Sequence, residues 1–327
     1  MDDNSDILEV SPVGDIILVV GPPGEEQLRL RVSSTILRSA SKVFDAMFSP
    51  PWVESSRTLS LESPKDVELP EDDPEAMKAI CYVIHHRPDM ISFVDVNAKQ
   101  ILQAARTIDK YDLGTAMQLV TDKWLRQQLR AKSVEDLLYM AAAAMVLKNY
   151  KAFSKLTWLV MITHEGSYLR FQNDDQLREL FPSEMFCKVL LMERSFSIRA
   201  QLSKALQRAK ATRIFGSCNC ADTLDGEINS VNLDYRVASD TSISILEALR
   251  GMLEVAMAQD IFRKSNCPSL TRHSCDGIHY ILPDWTESET SLCLQCLQND
   301  PNMEKACEHK VRPPYVGNRE LELLYLY

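Results

Sequence analysis

Seven of the nine cysteines of this 327-residue chain fall after residue 213, interspersed there with three histidines. The order is Cys218-x-Cys220, Cys267, His273, Cys275, His279, Cys293-x-x-Cys296, Cys307 and His309. Thiolate and imidazole are the donors that tetrahedral zinc takes, and C-x-x-C spacing lets two sulfurs hold one ion from a single turn. The grouping that best fits one structural zinc is Cys293 and Cys296 with two of Cys267, His273 and Cys275. Cys218 and Cys220, with Cys307 or His309, form a second set whose C-x-C bite is tighter and less typical. Such knots would let a loop-rich segment fold where its apolar content alone would not suffice. The competing reading is that these thiols are buried as small hydrophobes. A catalytic zinc is not expected, because neither H-x-x-x-H nor a general-base glutamate pattern accompanies the cysteines.

Reactive chemistry is otherwise sparse. The chain has no P-loop, no G-x-G-x-x-G and no G-x-S-x-G, and only ten glycines in all. An enzyme is not expected. A surface for a partner is easier to find, in "VFDAMFSPPWVESS" at 43–56. Val43, Phe44, Met47 and Phe48 repeat at helical spacing, and Pro50 and Pro51 then end the helix, leaving Trp52-Val53-Glu54 on a loop. A large aromatic anchor beside a polar residue is how interface hot spots are built. The alternative is that Trp52 folds back over Phe48 and caps the core, with Glu54 merely solvated. A basic run, "RAQLSKALQRAKATR" at 199–213, carries five cations and no acid. It reads as a nuclear import signal, a ligand-facing strip, or the solvated face of a long helix whose cations the helix dipole favours.

Composition bounds the rest. Forty-six acidic against 36 basic residues give a formal charge of −10, which opposes sequence-independent binding to nucleic acid. The 45% apolar content fills two or three domain cores. The acidic start "MDDNSDILEV" has no secretory pattern, and "YMAAAAMVL" and "TWLVMIT" are far shorter than the ~20 residues of a membrane helix. The expectation is an intracellular protein of nucleus or cytoplasm with no membrane span, whose cysteines are not a disulfide framework.

These residues need elements to place them. "GDIILVV" (14–20), stopped by "GPPG", and the alternating "LRLRV" (28–32) predict a hairpin with one buried and one half-buried strand. "SSTILRSASKVFDAMF" predicts two short helices opened by serine caps, "TLSL" (58–61) and "DVELP" (66–70) two more strands, and "EDDPEAMKAICYVIHH" a helix with Pro74 in its first turn. His85 and His86 read as the end of that helix. Helices over 96–112 and 113–129 join around Gly114. From Ser133, which pairs with Asp136 as a capping box, the pattern is helix only. The last helix of that stretch runs on from Pro182 with Phe186, Val189, Leu190, Phe196 and Leu202 inward. A further helix is expected at 242–262.

The order of three motifs in the first 130 residues resembles the BTB (POZ) family. "VSSTILRSASKVFDAMF" is similar to its "H-x-x-vLa-x-x-S-x-x-F-x-x-m-f", with Leu37, Ser41, Phe44, Met47 and Phe48 on the pattern. "VELPEDDPEAMKAICYVIHHRP" and "ILQAARTIDKYDL" resemble two later family stretches. Two departures are a missing histidine around Val32 to Ser34 and "HHRPDM" in place of an aromatic-glycine turn. The resemblance implies an α+β fold: an acidic tail (1–13), a BTB/POZ domain of small sheet and flanking helices (14–130), a helical BACK-like extension (131–212) and a Cys/His-rich, mostly α C-terminal module (213–327). The tail of the chain resembles the cysteine-containing segment of many fungal BTB proteins. In family members that act as adaptors for cullin-RING ubiquitin ligases, an apolar-x-Glu loop after the "F-x-x-m-f" helix docks on the cullin. Trp52 and Glu54 stand at that place, and Trp52, Glu54 and Phe48 are the expected partner-binding residues. The resemblance therefore implies protein partners, with a cullin scaffold among them. A homodimer through the BTB domain is also expected, with Ile7, Leu8 and Val10 pairing with a partner chain, packing on their own domain or staying disordered. The alternative function is a homo-oligomeric scaffold or transcriptional co-regulator without ligase attachment.

Overall fold

The structure, a computed structural model, describes residues 7–49, 62–87, 97–127 and 133–181, with a few isolated positions from 195 to 295. The chain divides into two compact units, Met1–Phe153 and Ser154–Tyr327.

The first unit is built on a four-stranded sheet. Its strands are β1 (Leu8–Glu9), β2 (Ile16–Val20), β3 (Leu28–Val32) and β4 (Lys65–Leu69), in the spatial order β1-β3-β2-β4. β2 and β3 are the expected antiparallel hairpin, with Leu18 opposite Leu30, while β1 pairs parallel to β3 and β4 parallel to β2. Every residue of β2 is buried, because it lies between two strands, which explains its unbroken β-branched run. β3 alternates, burying Leu30 and Val32 and leaving Arg29 and Arg31 half-covered. Arg29 reaches across to Asp66 at 2.9 Å. Gly14 is required where β2 begins, since a Cβ there would lie 2.8 Å from the Val32 carbonyl oxygen. Gly21 turns the chain out of β2 at φ +111°, in the left-handed region that glycine enters without strain.

Helices α1 (Ser34–Ala40) and α2 (Lys42–Met47) follow β3, as expected. The capping differs from the expectation. Ser33, at the N-cap of α1, makes no side-chain cap, because Asp15 from the start of β2 takes the role. Its two carboxyl oxygens accept from the Ser34 backbone N–H at 2.7 Å and the Ser34 hydroxyl at 2.6 Å. An acidic group at a helix N-terminus is favoured by the helix dipole.

After β4 come α3 (Pro74–Ile84), α4 (Ala98–Lys110), α5 (Gly114–Gln127) and α6 (Val134–Val146). Asp73 caps α3 with Pro74 at its first position, and Asn97 with Gln100 forms a complete capping box on α4. Ser133 caps α6 through the Asp136 N–H. The helix ends carry no glycine. His86, Asp112 and Lys148 instead take positive φ just past α3, α4 and α6. Each helix closes with a Schellman pair: His86 N–H to Val83 and Arg87 N–H to Tyr82, then Asp112 to Asp109 and Leu113 to Ile108, then Lys148 to Met145 and Asn149 to Ala144. The α4–α5 junction therefore turns at Asp112, and Gly114 is already the first residue of α5.

α6 is buried over eight successive residues, Leu137 to Ala144, and packs chiefly on α4. A helix apolar on all sides belongs inside a core. The compact unit thus runs through α6 to Phe153, past the last residue expected for the first domain.

Loop and helices are tied together at Asp72, whose side chain is 3% exposed. It accepts from Lys110 Nζ at 2.9 Å and from the Tyr111 hydroxyl at 2.6 Å. Burial and this bond hold the Tyr111 hydroxyl well above its ordinary pKa, so it remains a donor. Tyr111→Phe removes one of two bonds to a buried carboxyl group and is expected to cost about 1.5–3 kcal/mol in urea unfolding.

The second unit's described elements are the later turns of α7 (Tyr150–Thr163), a 3-10 helix (Tyr168–Asn173) and α8 (Asp175–Leu180). Ser167 and Asp174 cap the last two. Phe196, expected inward, is 40% exposed, and Arg199, the first residue of the basic run, is buried at 2%. Periodicity along that segment fixes a spacing but not which face turns inward. The strand at 58–61, Phe186, Val189, Leu190 and Leu202 lie outside the described residues.

Candidate functional site

The candidate partner residues Trp52 and Glu54 follow α2 in the chain, so the described part of this candidate site is α2 and what holds it. Ser41 stands between α1 and α2 and does three things. Its N–H closes α1 on the Leu37 carbonyl, its Oγ accepts from the Phe44 N–H at 3.0 Å, and its hydroxyl donates to the Tyr111 carbonyl at 2.5 Å. Phe44, fully buried, stacks with two rings, Tyr111 at 4.4 Å and Phe48 at 5.9 Å. On the outside Arg38 meets Asp45 at 2.8 Å, an exposed pair that adds little stability.

Phe48 is a core residue. It is expected to meet a partner together with Trp52 and Glu54, and in this chain it is 5% exposed. Positions 44 and 48 share one helix face, and that face turns to Tyr111. Trp52 and Glu54 lie outside the described residues. So do the proposed zinc ligands Cys218, Cys220, Cys267, His273, Cys275, Cys293, Cys296 and Cys307, with His279 and His309. Among the described residues no group of three His, Cys, Asp or Glu side chains is placed to hold a metal, and no helix is long and apolar enough to cross a membrane.

Of the three N-terminal apolar residues, Val10 is buried at 1%, Leu8 is half-buried and Ile7 is exposed at 40%. Leu8 pairs with Leu30 of its own domain.

The junction of β3 and α1 carries a tether that local pattern did not reveal. The Ser33 N–H donates to His85 Nε2 at 3.0 Å, and His85 Nδ1 lies 2.8 Å from the Cys81 carbonyl. A ring that accepts at Nε2 and donates at Nδ1 is neutral. Burial lowers the His85 pKa, against the bond to the Cys81 carbonyl, which raises it, and with a smaller lowering by His86. The unfolded chain, near the usual 6.5, then binds the proton first. Stability from His85 is present above that value and is lost as pH falls through the lower folded value. The expected result is a melting temperature that drops on acidification from about pH 7.5 to about 5, with a flatter profile in His85→Gln.

Cys81, on the same helix, is a buried free thiol pushed up to about 12 by desolvation, which makes it a packing residue and a poor nucleophile. Residues 11–128 match the family model of the BTB/POZ domain, and this segment of the chain is a BTB/POZ domain. No curated protein and no solved structure matches the chain.

Proposed function

We propose that the chain is a BTB adaptor that links a target protein to a cullin-RING ubiquitin ligase. The observation that supports this is the stacked Tyr111–Phe44–Phe48 column, which anchors α2 immediately before the Trp52-Val53-Glu54 loop. An interface anchor binds well when its supporting backbone is already ordered, because less entropy is lost on association. The downstream modules would present the surface that selects the target. Affinity purification of the tagged chain from native cells, followed by mass spectrometry, is expected to recover a cullin with the wild type and not with Trp52→Ala/Glu54→Ala. Recovery of the chain's own copies without any cullin would instead favour a homo-oligomeric scaffold. That second reading draws on exposed Ile7 and Val13 beside the edge strand β1.

The C-terminal module is proposed to be zinc-stabilised through Cys293 and Cys296 with two of Cys267, His273 and Cys275. Elemental analysis of protein purified without chelator is expected to give about one zinc per chain; less than about half an ion would remove the proposal.

A further inference from the structure

Ser-Pro occurs three times in the chain, at Ser11, Ser49 and Ser63. Ser11 is buried at 7% and Ser63 is exposed. Ser49 stands half-buried just past α2, its N–H donating to the Ala46 carbonyl at 3.1 Å. Arg38 of α1 reaches over to this end of α2 with two nitrogens. Its Nε donates to Asp45 Oδ1 at 2.8 Å, and its Nη2 donates to the Ser49 hydroxyl oxygen at 3.4 Å, the long limit of a hydrogen bond. The Arg38 side chain is 44% exposed and that of Asp45 54%, so their pair is weakly held and can re-form elsewhere at little cost.

We infer that Ser49 is a phosphorylation site for a proline-directed protein kinase, and that the phosphate takes Arg38 from Asp45. Pro50 disfavours a helical backbone at the residue before it, and an extended serine followed by proline is what such kinases accept. The group comes from a nucleoside triphosphate: the bond from Ser49 Oγ to the γ-phosphorus forms as the bond from that phosphorus to the β–γ bridging oxygen breaks. The nucleoside diphosphate leaves, and the hydroxyl proton passes to the kinase's catalytic carboxylate. The product carries about −1.5 to −2 charges and three strong acceptor oxygens, beside a cation already in contact. Asp45, four positions earlier, offers that cation a single charge and repels the phosphate, as does, more weakly, the C-terminal end of the short helix. Guanidinium and phosphate match fork to fork, so the more highly charged acceptor wins Arg38. Among the described residues, Ser49 is the one Ser-Pro serine whose hydroxyl meets a cation. The inference is independent of any cullin attachment.

Incubation of the full-length chain with MgATP and a purified cyclin-dependent or mitogen-activated kinase, followed by phosphopeptide mapping, tests the modification. At least about half a phosphate per chain is expected on Ser49, and none on that peptide in Ser49→Ala. Phosphorus NMR of the phosphorylated chain, prepared in a Ser63→Ala background, tests the exchange of partners. The second ionisation of phosphoserine lies near about pH 6 in water, and Arg38→Gln is expected to raise it by about 0.5 relative to the chain that keeps Arg38. Asp45→Asn, which removes the neighbouring negative charge, is expected to lower it by a smaller amount. Both substitutions fall on exposed side chains and should leave the melting temperature of the unphosphorylated chain unchanged. Phosphate on Ser63 without phosphate on Ser49, no phosphate on Ser49 with either kinase, or the same ionisation with and without Arg38 would overturn the inference.

Discussion

Phe44→Ala is expected to lower the stability of the N-terminal unit by about 3–5 kcal/mol, the largest loss from any single truncation in it. Phe44 is completely buried, and its ring stacks nearly parallel to those of Tyr111 and Phe48. Removing the ring forfeits its burial, leaves a cavity that a two-helix corner cannot collapse to fill, and abolishes two aromatic contacts. The Ser41 links to Phe44 and Tyr111 would hold the backbone in place and so keep the cavity open. Phe44→Leu, which keeps most of the volume, should cost much less. Leu119→Ala on α5 is the control: that side chain is 85% exposed, and its loss should stay within about 0.5 kcal/mol. Circular dichroism in urea measures all three. The chain has two compact units, so the quantity to compare is the transition that Phe44→Ala displaces. Equal losses at Phe44 and Leu119 would overturn the packing described for α2.

The parts of this fold legible in sequence are those with a local cause. The β-branched run of β2, the alternation of β3, the 3.6-residue spacing of α1 and α2, and Asp73-Pro74 at the start of α3 all act through neighbours a few residues away. Helix ends were harder, because His86, Asp112 and Lys148 occupy left-handed positions where a glycine would have marked the stop. The Asn97-x-x-Gln100 box on α4 is equally local, a pattern of three residues' reach. The tethers were not legible at all: Asp15 to Ser34, Ser33 to His85 and Ser41 to Tyr111 join residues 19, 52 and 70 positions apart. No period or motif links such pairs, and Ser33 looked like the cap only because Asp15 is remote in sequence. The candidate site divides in the same way. Helical spacing places both Phe44 and Phe48 inward, and the structure buries both.

Trp52→Ala is expected to weaken binding of a cullin's N-terminal region by about 2–4 kcal/mol, some thirty- to several-hundred-fold, without changing the fold. The size follows from the role assigned to the side chain. An interfacial tryptophan buried in a partner's apolar pocket is among the costliest truncations known, whereas the neighbouring Glu54, a polar group near the rim, should mainly affect association rate and salt dependence. Phe48→Ala would also reduce binding, but through lost packing in its own domain, and so with a lowered melting temperature that Trp52→Ala would not share. The pair of variants separates contact from support.

Titration of the purified full-length chain with a purified cullin N-terminal region therefore tests the account most directly. The account predicts saturable one-to-one binding at about micromolar Kd, lost in Trp52→Ala with an unchanged melting temperature. Failure of every cullin to bind the wild type, or equal binding by Trp52→Ala, would contradict it.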